Sequence, residues 1–331
     1  MVNNMKKLFW ALAAVVVAVI GLGTQHVAAA TDSAWDKPVV TLGSSLTSSQ
    51  RQGVIDTLTD AAGTGDSYNT LTVDGATLVK YLNPSGDNFT TSSGVWSSAL
   101  VQKTSSGGIN VKIVNYNGAN NITTITADQY RNAAVTAGVT NANIYITSPV
   151  SIDGSGALAG VYAAFAANGS TLSQSQVTAA QDEVNTLSSI TQANKNKDGY
   201  SDKQLNNAIA GIKKQMATDS NNGQQTLSSN QIGNIVDSQL KNNNLGTIIN
   251  NNQRTQIINL MVKIQNSGAL KGSGFKQQAS DLANSIQSSA KGLFNKIKGS
   301  VGNHDSSWWS SLWQRIVNFF TSIYNWVLSL F

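Results

Sequence analysis

The sequence predicts an α/β or α+β N-terminal domain, with a small mixed sheet and helices, followed by an all-α helical region and a C-terminal amphipathic helix. Between residues 38 and 168, short β-branched segments alternate with segments of helical periodicity, as in layered folds of sheet and helix. From residue 170 onward the strand signals disappear and helix-capping patterns recur. The final 24 residues are amphipathic over their whole length.

The first region contains five predicted strands and four predicted helices. The strands are expected at 39–42, 68–73, 95–103, 109–115 and 143–147, and the helices at 48–61, 78–82, 127–137 and 157–167. Gly138 and Pro149 end the third helix and the fifth strand. The run Ser105-Ser106-Gly107-Gly108 predicts a hairpin between the third and fourth strands.

Capping boxes mark the helix starts of the second region. In each, a Ser or Thr is followed three residues later by Gln, which lets the two residues bond each other's backbone amides. Those of the second region begin at Ser173, Ser201 and Ser228, and one more begins at Thr47 in the first region. Apolar stripes at helical spacing follow, which predicts buried helix faces. These stripes are Val177, Ala180, Val184, Leu187 and Ile190; Leu205, Ile209, Ile212 and Met216; and Phe275, Ala279, Leu282, Ile286, Ala290, Leu293 and Ile297.

The N-terminus has the pattern of a secretory signal peptide. Lys6 and Lys7 precede an apolar run at 8–22 and an A-x-A cleavage site at 28–30, although an uncleaved anchor is the alternative. We therefore expect a secreted protein without disulfides, since the chain has no cysteine, and a Gram-positive source. The expected divisions are a signal peptide (1–30), an α/β domain (31–169), a helical domain (170–270), a basic amphipathic helix (271–300) and a Trp-rich tail helix (301–331).

The basic charge is local. Residues 271–300 carry five lysines against one aspartate. This segment therefore has a charge of +4, which is most of the formal net charge of +5 of the whole chain. A short basic segment beside an amphipathic tail favours an anionic surface as partner, not nucleic acid.

The tail at 308–331 holds four tryptophans and one charged residue, Arg315. At about 100° per residue, its apolar side chains share one arc of about 200°. Three interpretations remain open: a helix in the membrane interface, a spanning helix, or a helix packed on this protein or a partner. The residues expected to contact a membrane or partner are Trp308, Trp309, Trp313, Ile316, Phe320, Ile323, Tyr324, Trp326, Lys291, Lys296 and Lys298.

Three segments carry a family resemblance. They are Lys37-Pro38-Val39-Val40-Thr41-Leu42-Gly43 with Leu46 and Gln50-Arg51; Tyr130-Arg131-Asn132-Ala133 with Thr136-Ala137-Gly138-Val139 and Ala142; and Ser148-Pro149-Val150-Ser151 with Gly154 and Ala157-Leu158-Ala159-Gly160. In this order they resemble the YpuA-like family of secreted Gram-positive proteins, over residues 37 to 265. That family is a domain of unknown function, so the resemblance implies secretion and a shared fold but no catalytic residues.

Two motifs resemble ligand-binding loops. The run Gly154-Ser155-Gly156-Ala157-Leu158-Ala159 fits a phosphate-binding turn, but the acidic residue expected about 20 positions later is missing. The alternative is a tight strand-to-helix turn. The run 194–202 resembles the start of a calcium loop, but Leu205 stands where the bidentate Glu should be. The alternative for this segment is a connector between two helices. For the protein as a whole we expect no metal and no cofactor.

Catalytic side chains are scarce. After the signal peptide the chain has one histidine, His304, and one glutamate, Glu183, which argues against His-based metal sites and His-assisted nucleophiles. We therefore expect a non-enzymatic, cell-envelope-associated protein whose C-terminal segment contacts a membrane surface or an anionic wall polymer. One alternative is an extracellular carboxylate-dependent hydrolase with converging Asp74, Asp128 and Asp153. Another is an adhesion or binding module.

Overall fold

The structure is a computed structural model that describes residues 34–170 and 172–290. Its strands are β1 Val39–Gly43, β2 Asn69–Val73, β3 Ser98–Lys103, β4 Ile109–Ile113 and β5 Ala142–Thr147. Its helices are α1 Ser48–Ala62, α2 Gly75–Tyr81, α3 Ala127–Ala137, α4 Ser155–Ala167, α5 Gln174–Asn194, α6 Asp202–Asp219, α7 Ser229–Asn242, α8 Asn251–Asn266 and α9 Phe275–Ser289. The predicted fold class is confirmed for the described residues, because a five-stranded sheet with helices precedes a helical region.

The sheet is mixed, with the order β2-β1-β3-β5-β4. The outer pairs β1–β2 and β5–β4 are parallel, whereas β3 is antiparallel to both of its neighbours. Strand β1 is buried along its whole length, as is almost all of β3. Of the edge strands, β4 alternates between buried and more exposed positions, and β2 is buried only at Val73. This difference follows from position, since central strands are covered on both faces and by two neighbours.

The predicted hairpin between the third and fourth strands is wrong. Strand β5 lies between β3 and β4, so that Lys103 and Ile109 both pair with Ala142. The connecting loop instead wraps around Asn141, whose carbonyl accepts from Thr104 N (2.8 Å) and whose Oδ1 accepts from Gly108 N (2.9 Å). A glycine pair predicts a chain reversal, but the reversal here encloses another strand.

Helices cover both faces of the sheet. On one face, α1 packs Val54 and Leu58 against β1 and β3 in a small separate cluster. On the other face, α4 lies close to β1 because Gly160 carries no side chain: a Cβ there would lie 2.4 Å from Thr41 Oγ1. The second face belongs to a large core that continues into the helical region.

The predicted apolar stripes are buried as far as the structure describes them. The stripes of α5 and α6 lie in the large core, and so do Phe275, Ala279, Leu282 and Ile286 of α9, which packs against α6. The capping boxes at Thr47 and Ser228 form both expected bonds. Ser201 makes only its own bond, and Ser173 makes no capping bond. Within 34–170 and 172–290, no helix has the length and apolar character needed to cross a membrane.

Candidate functional site

Three lysines converge where α9 begins. Lys214 lies on the exposed side of α6, Lys271 ends the short 3-10 turn Ala269–Lys271, and Lys276 is the second residue of α9. Together with Asn222 and residues 272–274, they line an open cleft of about 510 Å³, which we call the basic cleft. Only Lys271 and Lys276 belong to the basic segment identified in the sequence.

The local fold fixes two of these lysines between buried anchors. Leu270 and Phe275 are 1% and 5% exposed, so both ends of the segment 270–275 are held in the core. Gly274, with φ of 87°, allows the chain to enter α9 directly from the preceding turn. Lys271 and Lys276 are therefore presented to solvent on a segment with fixed ends.

The basic cleft is electrostatically positive. Within the described parts of the chain, none of its three lysines has a carboxylate within 4.0 Å. The N-terminus of α9 has no side-chain cap, unlike those of α1, α7 and α8. The helix dipole adds partial positive charge at that end. The arrangement attracts anionic groups by charge.

The residues predicted to contact a membrane or partner lie outside the described residues. This applies to the aromatic and aliphatic residues between Trp308 and Trp326 and to Lys291, Lys296 and Lys298. Lys214 was missed by the sequence reasoning. Its position on the polar side of α6 gives no functional signal by itself, and only the packing of α9 against α6 brings it beside Lys271 and Lys276.

The three aspartates of the hydrolase alternative have separate local roles. Asp74 caps α2 by accepting from Thr77 N over 2.9 Å, and this bond lowers the pKa of its carboxyl. Asp128 forms an ion pair with Arg131 at 3.3 Å. Asp153 accepts from the amide and the hydroxyl of Ser155 over 3.0 and 2.7 Å. These contacts give the hydrolase alternative no support.

The glycine motif at the start of α4 serves packing. Asp153 and Ser97 Oγ accept from the first-turn amides of Ser155 and Ala157. A Cβ on Gly156 would lie 2.6 Å from Val95 Cγ1. Two of the backbone amides that would hold a phosphate therefore already have partners, as expected for a tight strand-to-helix turn.

In the calcium-like segment the last acidic side chain contacts protein hydroxyls, whereas the amide oxygen Oδ1 of Asn194 is buried without a hydrogen-bond partner among the described residues. The first residue, Asn194, is buried and donates to the carbonyl of Ile190 over 2.7 Å. The last acidic residue, Asp202, accepts from Thr126 Oγ1 over 2.7 Å and from Thr191 Oγ1 over 3.0 Å. Across the described ranges, no group of three or more His, Asp or Glu side chains is arranged to hold a metal ion.

Two comparisons with known proteins place the chain among uncharacterised sequences. A family model described as "Protein of unknown function (DUF1002)" matches residues 42–282. The chain is 33% identical over 135 residues to "Uncharacterized protein YpuA" of Bacillus subtilis (strain 168). This alignment covers 40% of the chain and 43% of that relative, and thus less than half of either protein. No solved structure matches the chain.

Proposed function

We infer a role for this chain, which belongs to the family described as protein of unknown function (DUF1002), from its own surface, because that description names no activity. Membership of the family confirms the resemblance to YpuA-like proteins. We propose a secreted, non-enzymatic protein of the cell envelope that binds an anionic membrane surface. The binding groups are the basic cleft and the C-terminal segment 291–331.

The observation that carries this proposal is the convergence of Lys214, Lys271 and Lys276 without carboxylate partners among the described residues. An ammonium group near an anionic bilayer contributes about 1 kcal/mol of attraction. The apolar face of α9 is buried against α6, so its lysine is held at the surface by a rigid element. A backbone that is already fixed loses little conformational freedom on binding.

The length of chain between the basic cleft and the segment 308–331 allows both to act on one surface. The 15 residues of α9 span about 22 Å between the cleft and the start of the C-terminal segment. Residues 291–307 extend at most about 60 Å when fully stretched. Both groups can therefore reach the same membrane, with lysines at the headgroups and tail aromatics at the interface.

A membrane fits the tail better than a wall polymer does. The segment 308–331 places 15 apolar residues on one side of a predicted helix. A hydrated polymer offers charge but no apolar layer in which to bury that side, whereas the headgroup–acyl boundary of a bilayer offers both. Binding to a wall polymer is therefore the alternative, and the experiment below distinguishes it from binding to a membrane.

Vesicle co-sedimentation tests the proposal with the chain beginning at residue 31. The vesicles contain phosphatidylglycerol and phosphatidylcholine, or phosphatidylcholine alone. We expect the chain to bind the anionic vesicles, and truncation after Ser300 to weaken binding by about tenfold or more. The matched control keeps residues 308–331 in scrambled order, so that composition is unchanged but the apolar arc is lost.

Two results would contradict the membrane proposal. One is equal vesicle binding by the intact and truncated chains, and the other is binding by neither. Sedimentation with purified anionic wall polymer, without vesicle binding, would replace the membrane by the polymer as partner.

A further inference from the structure

A second, smaller cleft lies where β4 begins, between α3 and α9. Its volume is about 150 Å³, and its lining includes Arg131, Val135, Gln278, Asp281 and Leu282. We call it the Arg131 cleft. An apolar cavity of this size holds about six non-hydrogen atoms, as in a benzene ring. The cleft therefore has room for a small molecule and not for a nucleotide or a sugar chain.

Arg131 gives the cleft a cationic wall. Its Nε donates to the Ile109 carbonyl over 2.9 Å, and Nη1 donates to Asp128 Oδ1 over 3.3 Å. Nη2 has no hydrogen-bond partner among the described residues, and the whole residue is 9% exposed. Burial lowers the pKa of this guanidinium, so an acceptor that reaches Nη2 would offset part of its lost hydration.

Gln278 gives the opposite wall a buried acceptor. Its Nε2 donates to Asn141 Oδ1 over 3.3 Å, but its Oε1 has no partner although the residue is only 7% exposed. One turn along the lining face of α9, Asp281 accepts from Gln277 Nε2 through Oδ1. This wall requires a donor, because a buried carbonyl oxygen without a hydrogen bond is unfavourable.

We propose that the Arg131 cleft binds a small α-amino acid in its zwitterionic form, with glycine or alanine as the size that fits. The carboxylate accepts from Arg131 Nη2, and the ammonium donates to Gln278 Oε1 and Asp281. Val135 and Leu282 line the space for a short apolar side chain.

The combination of walls selects this chemistry. The Asp281 carboxylate and the Gln278 carbonyl oxygen would repel a simple anion. The Arg131 guanidinium would repel a simple amine in its protonated form. A molecule with both charges one carbon apart satisfies both walls within about 150 Å³. This site is independent of the proposed membrane role, because none of the lysines of the basic cleft lines it.

Titration calorimetry on the chain beginning at residue 31 tests the site, with alanine as probe and propionate and ethylamine as half-ligands. We expect saturable alanine binding and at least about tenfold weaker binding of each half-ligand. Gln278→Leu and Asp281→Asn are each expected to weaken alanine binding by about tenfold. Gln287→Leu, an exposed change on the same helix, leaves it unchanged.

Thermal unfolding of the unliganded variants shows that the folds are comparable. Gln278→Leu removes a buried oxygen that lacks a partner together with the long bond to Asn141 Oδ1, which still accepts from Gly108 N, so this variant should fold about as well as the parent. Absence of saturable alanine binding would overturn the proposal and leave a cleft that holds only water. Unchanged alanine affinity in both Gln278→Leu and Asp281→Asn would also overturn it.

Discussion

Glu183, the only glutamate in the chain, forms an ion pair with Lys213 in which Oε1 and Nζ are 2.5 Å apart and neither side chain is exposed. Thr136 Oγ1 donates to the second carboxylate oxygen over 2.6 Å, and Lys213 Nζ also donates to the Asn132 carbonyl over 2.8 Å. The pair thus joins α3, α5 and α6. Burial lowers the pKa of Lys213, and the adjacent carboxylate opposes that effect.

We predict that Lys213→Met destabilises the protein by about 3–5 kcal/mol, because it leaves a buried carboxylate without its cation. The double variant Lys213→Met/Glu183→Leu should recover most of that loss, since two apolar side chains need no partner. Urea unfolding of the three proteins measures both effects.

The neighbouring pair Lys263–Asp182 is the matched control. It joins α8 to α5 at 2.8 Å, but the Lys263 side chain is 61% exposed. Lys263→Met should cost only about 0–1 kcal/mol. A loss in Lys213→Met no larger than in Lys263→Met would contradict the assigned role of the buried pair.

The stability contribution of Asp202 should depend on pH. Burial raises its pKa above the ordinary 3.8, against hydrogen bonds from Thr126 and Thr191 that lower it. Its contribution is therefore fully present below pH 3.8 and is lost as pH rises through the raised value. As pH rises through that window, the free energy of unfolding of the parent should fall relative to that of Asp202→Asn, and at higher pH the difference should stay constant. Urea unfolding at a series of pH values measures this difference.

Asp74 should show the opposite sign. Its bond from Thr77 N lowers its pKa below 3.8, so its contribution is present above pH 3.8 and is lost as pH falls through the lowered value. The stability of the parent relative to Asp74→Asn should therefore fall toward acid. The same pH trend for Asp74→Asn and Asp202→Asn would contradict the direction of the pKa shift that we assign to one of the two carboxyls.

Two helical glycines should respond to alanine in opposite directions. Gly160→Ala places a Cβ 2.4 Å from Thr41 Oγ1 and should cost about 1–3 kcal/mol through displacement of α4 from β1. Gly233 lies within α7, and a Cβ there would be 3.4 Å from its nearest neighbour, Arg254 Nη2, which is ordinary van der Waals contact. Gly233→Ala should therefore stabilise by about 0.5–1 kcal/mol. Thermal unfolding distinguishes them, and stabilisation by Gly160→Ala would contradict the close contact of α4 with β1.

Local signals predicted the elements well and their pairing less well. The helix expected at 127–137 is observed as Ala127–Ala137, because Gly138 ends it with φ of 85°. The sequence of the loop 104–108 predicted that the chain reverses there. It did not predict that β5, which follows later in the chain, pairs with both β3 and β4 and separates them. No local pattern distinguished Glu183 from a solvent-exposed helix residue. Its burial depends on Lys213, 30 positions away in the chain, and the basic cleft likewise depends on how α6 and α9 pack.

Vesicle co-sedimentation of two charge variants tests the central claim most directly. The variants are Lys214→Ser/Lys271→Ser/Lys276→Ser and, as a control with equal loss of charge at exposed sites elsewhere, Lys112→Ser/Lys195→Ser/Lys197→Ser. At about 1 kcal/mol per lysine, the first should bind anionic vesicles on the order of 100-fold more weakly, whereas the second should bind like the parent. Equal affinities for the two variants would contradict a specific role of the basic cleft.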